Sequence, residues 1–341
     1  MAIIGIERLI YCVDDVERSV QFFEDFGLRL QDRTGEQARF QLPDNSRVYF
    51  RSLADHPIPG SRVVGQGVHE LVWGVDSADN LEKLVANIAT DREVRRDEDG
   101  IAHFITDDGI AMGLRHWPEK RQVFAPTEPV NSPGNIRRMN VHRRWIARAF
   151  PKGIAHIGIL SPDLEGLVNF LITRLNFKLS DRQRNFGVYC RADGVTDHHN
   201  LALINANAGL PGMDGQLRFH HTNFVVTDLD EMMAGKNYMD RRGWPKSDLG
   251  IGRHRIASAL FCYFPCPAGG EAEYGADSDA LDDGWVPRDF DPMFGLAHWM
   301  HNLPEWWDGA NWDVLFAEGC APAKGSVPRR PELADPGATE D

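Results

Sequence analysis

The chain repeats itself, and the repeat limits the folds open to it. Near the start stands IERLIYCVDDVERSVQFFEDFGLRL, from Ile6 to Leu30, and near the middle IAHIGILSPDLEGLVNFLITRLNFKL, from Ile154 to Leu179. Aligned at Val20/Val168 and Phe22/Phe170, each reads as a strand, a turn with Asp and an amphipathic helix. In the second copy Leu164, Leu167, Val168, Leu171 and Leu175 form the apolar stripe, and Asp163 is placed to cap the helix. A further pair begins at Gly67 (GVHELVWGVDSADNLEKLVANI) and Arg218 (RFHHTNFVVTDLDEMMAGKNYM), with His69 and Asp76 matching His221 and Asp228 at one offset. Three more strands fit after each helix. The pattern predicts four βαβββ units of about 50–60 residues in two pairs, an α+β protein of two domains.

The expected boundaries are 1–117 for the first domain, 118–149 for a linker, and 150–285 for the second domain. A Trp-rich extension (286–320) and a disordered Pro- and charge-rich tail (321–341) would follow. The linker carries Pro118, Pro126, Pro129 and Pro133, then an Arg-rich run from Arg137 to Arg148. That run fits a solvated helix face or a clamp on an acidic surface.

Composition narrows the function. Lys and Arg total 37 against 50 Asp and Glu, a net charge of −13, which argues against nucleic acid or an anionic membrane as the main partner. No apolar run approaches the ~18–20 residues that span a bilayer. The N-terminal MAIIGIERLIYCVDD lacks a basic leader and a cleavage site, so a signal peptide is not expected. The five Cys (12, 190, 262, 266, 320) form no CxxC, which fits reduced packing thiols in the cytoplasm. HExxH, GxGxxG, P-loop and GxSxG motifs are absent from the sequence.

Strand parity in the second domain places His156 with Ile154 and Gly158, His221 with Asn223 and Val225, and Glu273 with Glu271. His156 and His221 stand at matching positions of paired modules, so pseudo-twofold pairing brings them together. Two His and one carboxylate from three strands make a facial triad for a divalent metal. On residue type alone, packed core histidines and a surface glutamate fit equally well.

The repeated modules, with AHIGI, RFHHTNFVV, GRH at 252–254 and GGEAEYG at 269–275, resemble the vicinal oxygen chelate superfamily over about residues 1–285. Within it they resemble the type I extradiol ring-cleavage dioxygenases, the group of 2,3-dihydroxybiphenyl 1,2-dioxygenase. The resemblance implies a partly open barrel in each domain and a metal held by His156, His221 and Glu273. It also implies an acid–base His199 in TDHHNLALI, and His254 and Tyr263 lining the substrate site. Adjacent His198 falls outside the implied chemistry, and parity turns His220 to the other side of the sheet. In the first domain Arg8 replaces the first His and Met112 the carboxylate, leaving only His69, so one metal per chain is expected.

The implied activity is Fe(II)-dependent cleavage of a substituted or bulky catechol, with O2 as co-substrate and a muconic semialdehyde-type product. Mn(II) is the alternative metal. The rival activities are those of glyoxalase-like or 4-hydroxyphenylpyruvate-dioxygenase-like enzymes, and the rival from another class is a non-catalytic binding protein. The implied partners are a small aromatic substrate and further copies of the chain in a homo-oligomer.

Overall fold

The computed structural model describes residues 2–210, 212–303 and 320–322. The first βαβββ unit is β1 (Ile3–Val13), α1 (Val16–Phe26), β2 (Arg29–Thr34), β3 (Gln37–Gln41) and β4 (Arg47–Ser52). The second is β5 (Gly67–Val75), α2 (Ala78–Ile88), β6 (Arg95–Arg96), β7 (Ala102–Ile105) and β8 (Ala111–His116). The third is β9 (Ile154–Ser161), α3 (Leu164–Leu175), β10 (Lys178–Gln183), β11 (Gly187–Arg191) and β12 (Leu201–Asn205). The fourth is β13 (Arg218–Val225), α4 (Leu229–Arg241), β14 (Ile251–Arg253), β15 (Leu260–Pro265) and β16 (Glu271–Ala276). Beyond them lie β17 (Arg288–Phe290), α5 (Pro292–Leu296), β18 (Trp299–Met300) and β19 (Cys320–Pro322).

Each of the four module helices starts on a short polar cap. Asp15, Ser77, Asp163 and Asp228 each accept a hydrogen bond from the backbone N–H three residues on. This satisfies one of the donors that a helix start leaves open.

The strands form two sheets, in the orders β2-β3-β4-β1-β5-β8-β7-β6 and β18-β14-β15-β16-β13-β9-β12-β11-β10-β17-β19. Without the extension strands the two orders are the same. In each sheet the first strands of paired modules meet antiparallel at the centre, β1 on β5 and β9 on β13. Each is flanked by the parallel last strand of its own module.

The two halves share one apolar core. Phe26 of α1 stacks on Tyr274 of β16 with centroids 4.0 Å apart, and the Tyr274 hydroxyl donates to the Phe26 carbonyl at 2.6 Å. Tyr11 of β1 packs edge-on against Phe219, and its hydroxyl lies 2.7 Å from Thr222 Oγ1, both on β13.

The linker holds no helix, and two of its arginines, Arg143 and Arg148, clamp it to the module helices. Arg148 donates to the carbonyls of Glu24 and Asp25 near the end of α1 and lies over the Tyr238 ring of α4. Cations near a helix C-terminus satisfy its open carbonyls. Arg143 pairs with Asp230 in the first turn of α4.

The extension covers the sheet edges. β17 pairs with β10 and β18 with β14, while Trp285 Nε1 donates to the Ser180 carbonyl at 2.8 Å. Ala321 and Pro322, placed by sequence in a disordered tail, lie in β19 beside β17. Trp306, Trp307, Trp312 and residues 323–341 lie outside the described residues. No described helix is long and apolar enough to cross a membrane.

Candidate metal centre

The ladder of the second sheet sets the site. Asn223 of β13 pairs with His156 of β9 on one side and with Glu273 of β16 on the other. His221 stands two residues before Asn223, on the same face. The outcome is a cluster of three buried ligating atoms. His156 Nε2 lies 3.0 Å from His221 Nε2, and Glu273 Oε2 lies 3.4 Å and 3.6 Å from those two nitrogens. Glu273 is 1% exposed, and its Oε2 is buried with no hydrogen-bond partner. A buried carboxylate oxygen without a donor is costly unless a cation meets it. Two imidazoles and a carboxylate suit Fe(II), Mn(II) or Zn(II), so the donor set fits one divalent ion. Among the described residues this is the one group of His, Cys, Asp or Glu atoms converging in this way.

Gly158 makes room for the cluster. It pairs with His221 across the ladder, and a Cβ there would come within 2.3 Å of the His221 ring. Burial, then the neighbouring histidines, pushes His221 well below the ordinary imidazole range, so the ring is neutral and its Nε2 can donate a lone pair.

His220 departs from the parity expectation. The β13–β9 pairing shifts between Phe219 and His221, so His220 is an extra residue in a bulge. Its ring turns onto its neighbour, with Nδ1 2.7 Å from His221 Nδ1. Burial lowers it to about 4. His220 therefore touches the ring it was expected to face away from.

The other expected residues gather beside the cluster. The His199 ring centroid is 4.1 Å from that of His156, and Tyr263 meets the His221 ring edge-on at 5.4 Å. His254 Nδ1 donates to the Leu296 carbonyl of α5, so its Nε2 accepts from the Tyr263 hydroxyl at 3.1 Å. Burial, reinforced by the Glu273 charge, holds the Tyr263 phenol well above its ordinary range. Burial lowers His199 and His254.

Sequence reasoning gave no role at the site to four neighbours. His198 is wholly buried against His199 and bonded to Asp181 of β10. Tyr189 packs edge-on to His199 at 5.0 Å. Glu271, beside Glu273, is raised to about 7 by burial and that neighbouring charge. The pairing of Asp181 with His198 joins β10 to the residues before β12, and no local motif announces it; alternation along β16 marks Glu271.

In the first sheet the expected alignment slips by one residue. Val72 pairs with Arg8 and with Gly113, as Asn223 pairs with His156 and Glu273. The counterparts of His156, His221 and Glu273 are thus Arg8, Glu70 and Gly113. Met112 instead lies in the apolar core, and His69 is held by Ser61 and the Gly65 carbonyl. Glu70 bonds His103 Nδ1 at 2.6 Å. A cavity of about 620 Å³ opens here, lined by Arg8, Arg51, Glu70, Arg95 and His103 among others. Cys12, Cys190, Cys262 and Cys266 are free thiols, and burial pushes Cys262 and Cys266 to about 12, far from a nucleophile.

No family model matches the chain. Among curated proteins it is 29% identical over 238 residues to metapyrocatechase 2 of Cupriavidus necator, covering 68% of this chain and 70% of that one. Among solved structures it is similar to a Mn(II)-bound glyoxalase from Novosphingobium aromaticivorans, with TM-score 0.68 and 21% identity over 89% of this chain and 93% of that one. It is also similar to 2,2',3-trihydroxybiphenyl 1,2-dioxygenase from Sphingomonas wittichii, with TM-score 0.66 and 18% identity over 89% of this chain and 100% of that one. The chain has the vicinal oxygen chelate fold, and by sequence and structure it resembles the extradiol catechol dioxygenases built on that fold.

Proposed function

We propose that the protein is an Fe(II)-dependent extradiol dioxygenase that opens the ring of a catechol with O2, with Mn(II) as the alternative metal. The observation that carries the proposal is the convergence of His156 Nε2, His221 Nε2 and Glu273 Oε2, with the partnerless carboxylate oxygen between two imidazoles. His156, His221 and Glu273 would hold the ion. When bound, it would supply Lewis acidity to the substrate and one-electron chemistry toward O2.

The chain's own residues orient the substrate and handle protons. The Tyr263 hydroxyl donates to His254 Nε2 in the structure, and burial keeps it protonated. That proton would turn from His254 Nε2 to a bound substrate oxyanion. His254 is anchored through Nδ1 on the Leu296 carbonyl, so it holds Tyr263 in place and closes that side of the substrate space. The extension thus shapes the site, which suits a bulky or substituted catechol. His199, packed on His156, takes the substrate's proton and returns it as the ring opens. Catechol and O2 combine into one ring-opened semialdehyde acid, with both oxygen atoms retained.

The likeness to a glyoxalase raises an isomerase as the second reading. An isomerase consumes no O2. The test is single-turnover reaction of the Fe(II)-loaded protein with a catechol under ¹⁸O2. Two labelled oxygens in one ring-fission product support the dioxygenase; an unlabelled or unreacted substrate refutes it.

A further inference from the structure

Behind His199 runs a buried polar chain that the proposed chemistry has not used. Asp181 and His198 are each 1% exposed. Asp181 Oδ1 accepts from the Arg288 backbone N–H at 2.8 Å, and its Oδ2 lies 2.8 Å from His198 Nε2. His198 Nδ1 lies 3.0 Å from His199 Nδ1. The backbone around His198 is fixed as well: the Ser180 hydroxyl donates to its carbonyl, and Trp285 Nε1 donates to the Ser180 carbonyl.

The direction of each bond follows from the first. A carboxylate only accepts, so His198 Nε2 carries a proton. With Nε2–H as its one ring proton, His198 has a bare Nδ1. That nitrogen accepts from the Nδ1–H of His199. Nε2 of His199 is left as the bare nitrogen, and it has no hydrogen-bond partner among the described residues. Burying a carboxylate and two imidazoles solely as filling would be unfavourable compared with apolar residues of similar volume.

We propose that Asp181 and His198 are positioning residues that lock His199 in its Nδ1–H tautomer, leaving Nε2 as the proton-accepting atom at the metal centre. The consequence for catalysis rests on the catechol-cleavage reading; the tautomer itself does not. Asp181→Asn tests the origin of the lock. An amide has one acceptor and one donor end, so either the Arg288 N–H or the His198 Nε2–H must face an NH2 group.

The experiment is long-range ¹H–¹⁵N correlation on the full chain with ¹⁵N-labelled histidine, loaded with diamagnetic Zn(II). His198→Gln and His199→Gln assign the two rings by loss of their signals. The expected result is an Nε2–H form for His198 and an Nδ1–H form for His199, with both redistributed in Asp181→Asn. An Nε2–H His199 in the wild type overturns the proposal, and this measurement needs no folded variant beyond those used for assignment. In the Fe(II) enzyme, Asp181→Asn is expected to lower kcat by on the order of 10²-fold, a general acid–base effect, with catechol KM within about 2-fold. Unchanged kcat with a switched tautomer also overturns it. A wild type with the stated tautomers but no catechol cleavage counts against the enzyme assignment instead.

Discussion

Glu273 and Gly113 occupy the same rung of the duplicated ladder. Glu273 pairs with Asn223 and Tyr263, and Gly113 with Val72 and His103. One half therefore presents a carboxylate where the other presents no side chain at all. A Cβ at Gly113 would already come within 2.9 Å of Ile101. The duplication has kept the frame, and among the described residues the candidate metal-binding group occurs once.

One metal per chain is expected. His156→Ala, His221→Ala and Glu273→Ala are each expected to remove most bound metal, and Arg8→Ala to leave one equivalent. Elemental analysis of the purified variants checks this. A second equivalent in the wild type, or full occupancy in Glu273→Ala, would count against the assignment.

His220 supports its neighbour through the Nδ1–Nδ1 contact at 2.7 Å. Partners of this kind fix the ligand's ring and tautomer, and losing them costs about 10–100-fold in metal affinity. His220→Ala is expected to weaken binding by that amount in a competitive chelator titration while His221 remains a ligand. Unchanged affinity would make His220 a packing residue only.

The two halves are pinned by Tyr11 on Thr222. Tyr11→Phe leaves a buried threonine hydroxyl without that partner, a loss of about 1–2 kcal/mol. Denaturant unfolding is expected to show a lower midpoint with an unchanged slope. An unshifted midpoint would mean that the shared core alone joins the halves.

The first half carries a pH-dependent contribution. The bond to Glu70, assisted by Asp97, raises His103 above its ordinary 6.5; Arg95 stands across the strand from it. The folded value exceeds the unfolded one, so this stabilisation is complete below 6.5 and is lost as pH rises through the folded value. His103→Gln is expected to narrow the stability gap to wild type at alkaline pH. Parallel pH curves for the two proteins would refute the contribution.

The sequence made some of this legible for physical reasons. Strand parity and helical periodicity repeat regularly, so the four modules could be found, and matching positions in paired modules pointed to His156, His221 and Glu273. Parity failed where the backbone is irregular: the bulge at Phe219–His221 turned His220 inward, and a differing register in β5 shifted the first-half counterparts from His69 and Met112 to Glu70 and Gly113. Asp181 and Leu296 reach the site through tertiary pairing, 17 and 42 residues from the histidines they hold. No local pattern marks such partners.

The most direct test of the central claim is anaerobic loading with one equivalent of Fe(II), addition of a catechol, and then a pulse of O2, following oxygen uptake and the yellow ring-fission product together. One O2 consumed per product formed, with neither change in Glu273→Ala, is the expected result. Stoichiometric iron in the wild type with no oxygen uptake across a panel of catechols would contradict it.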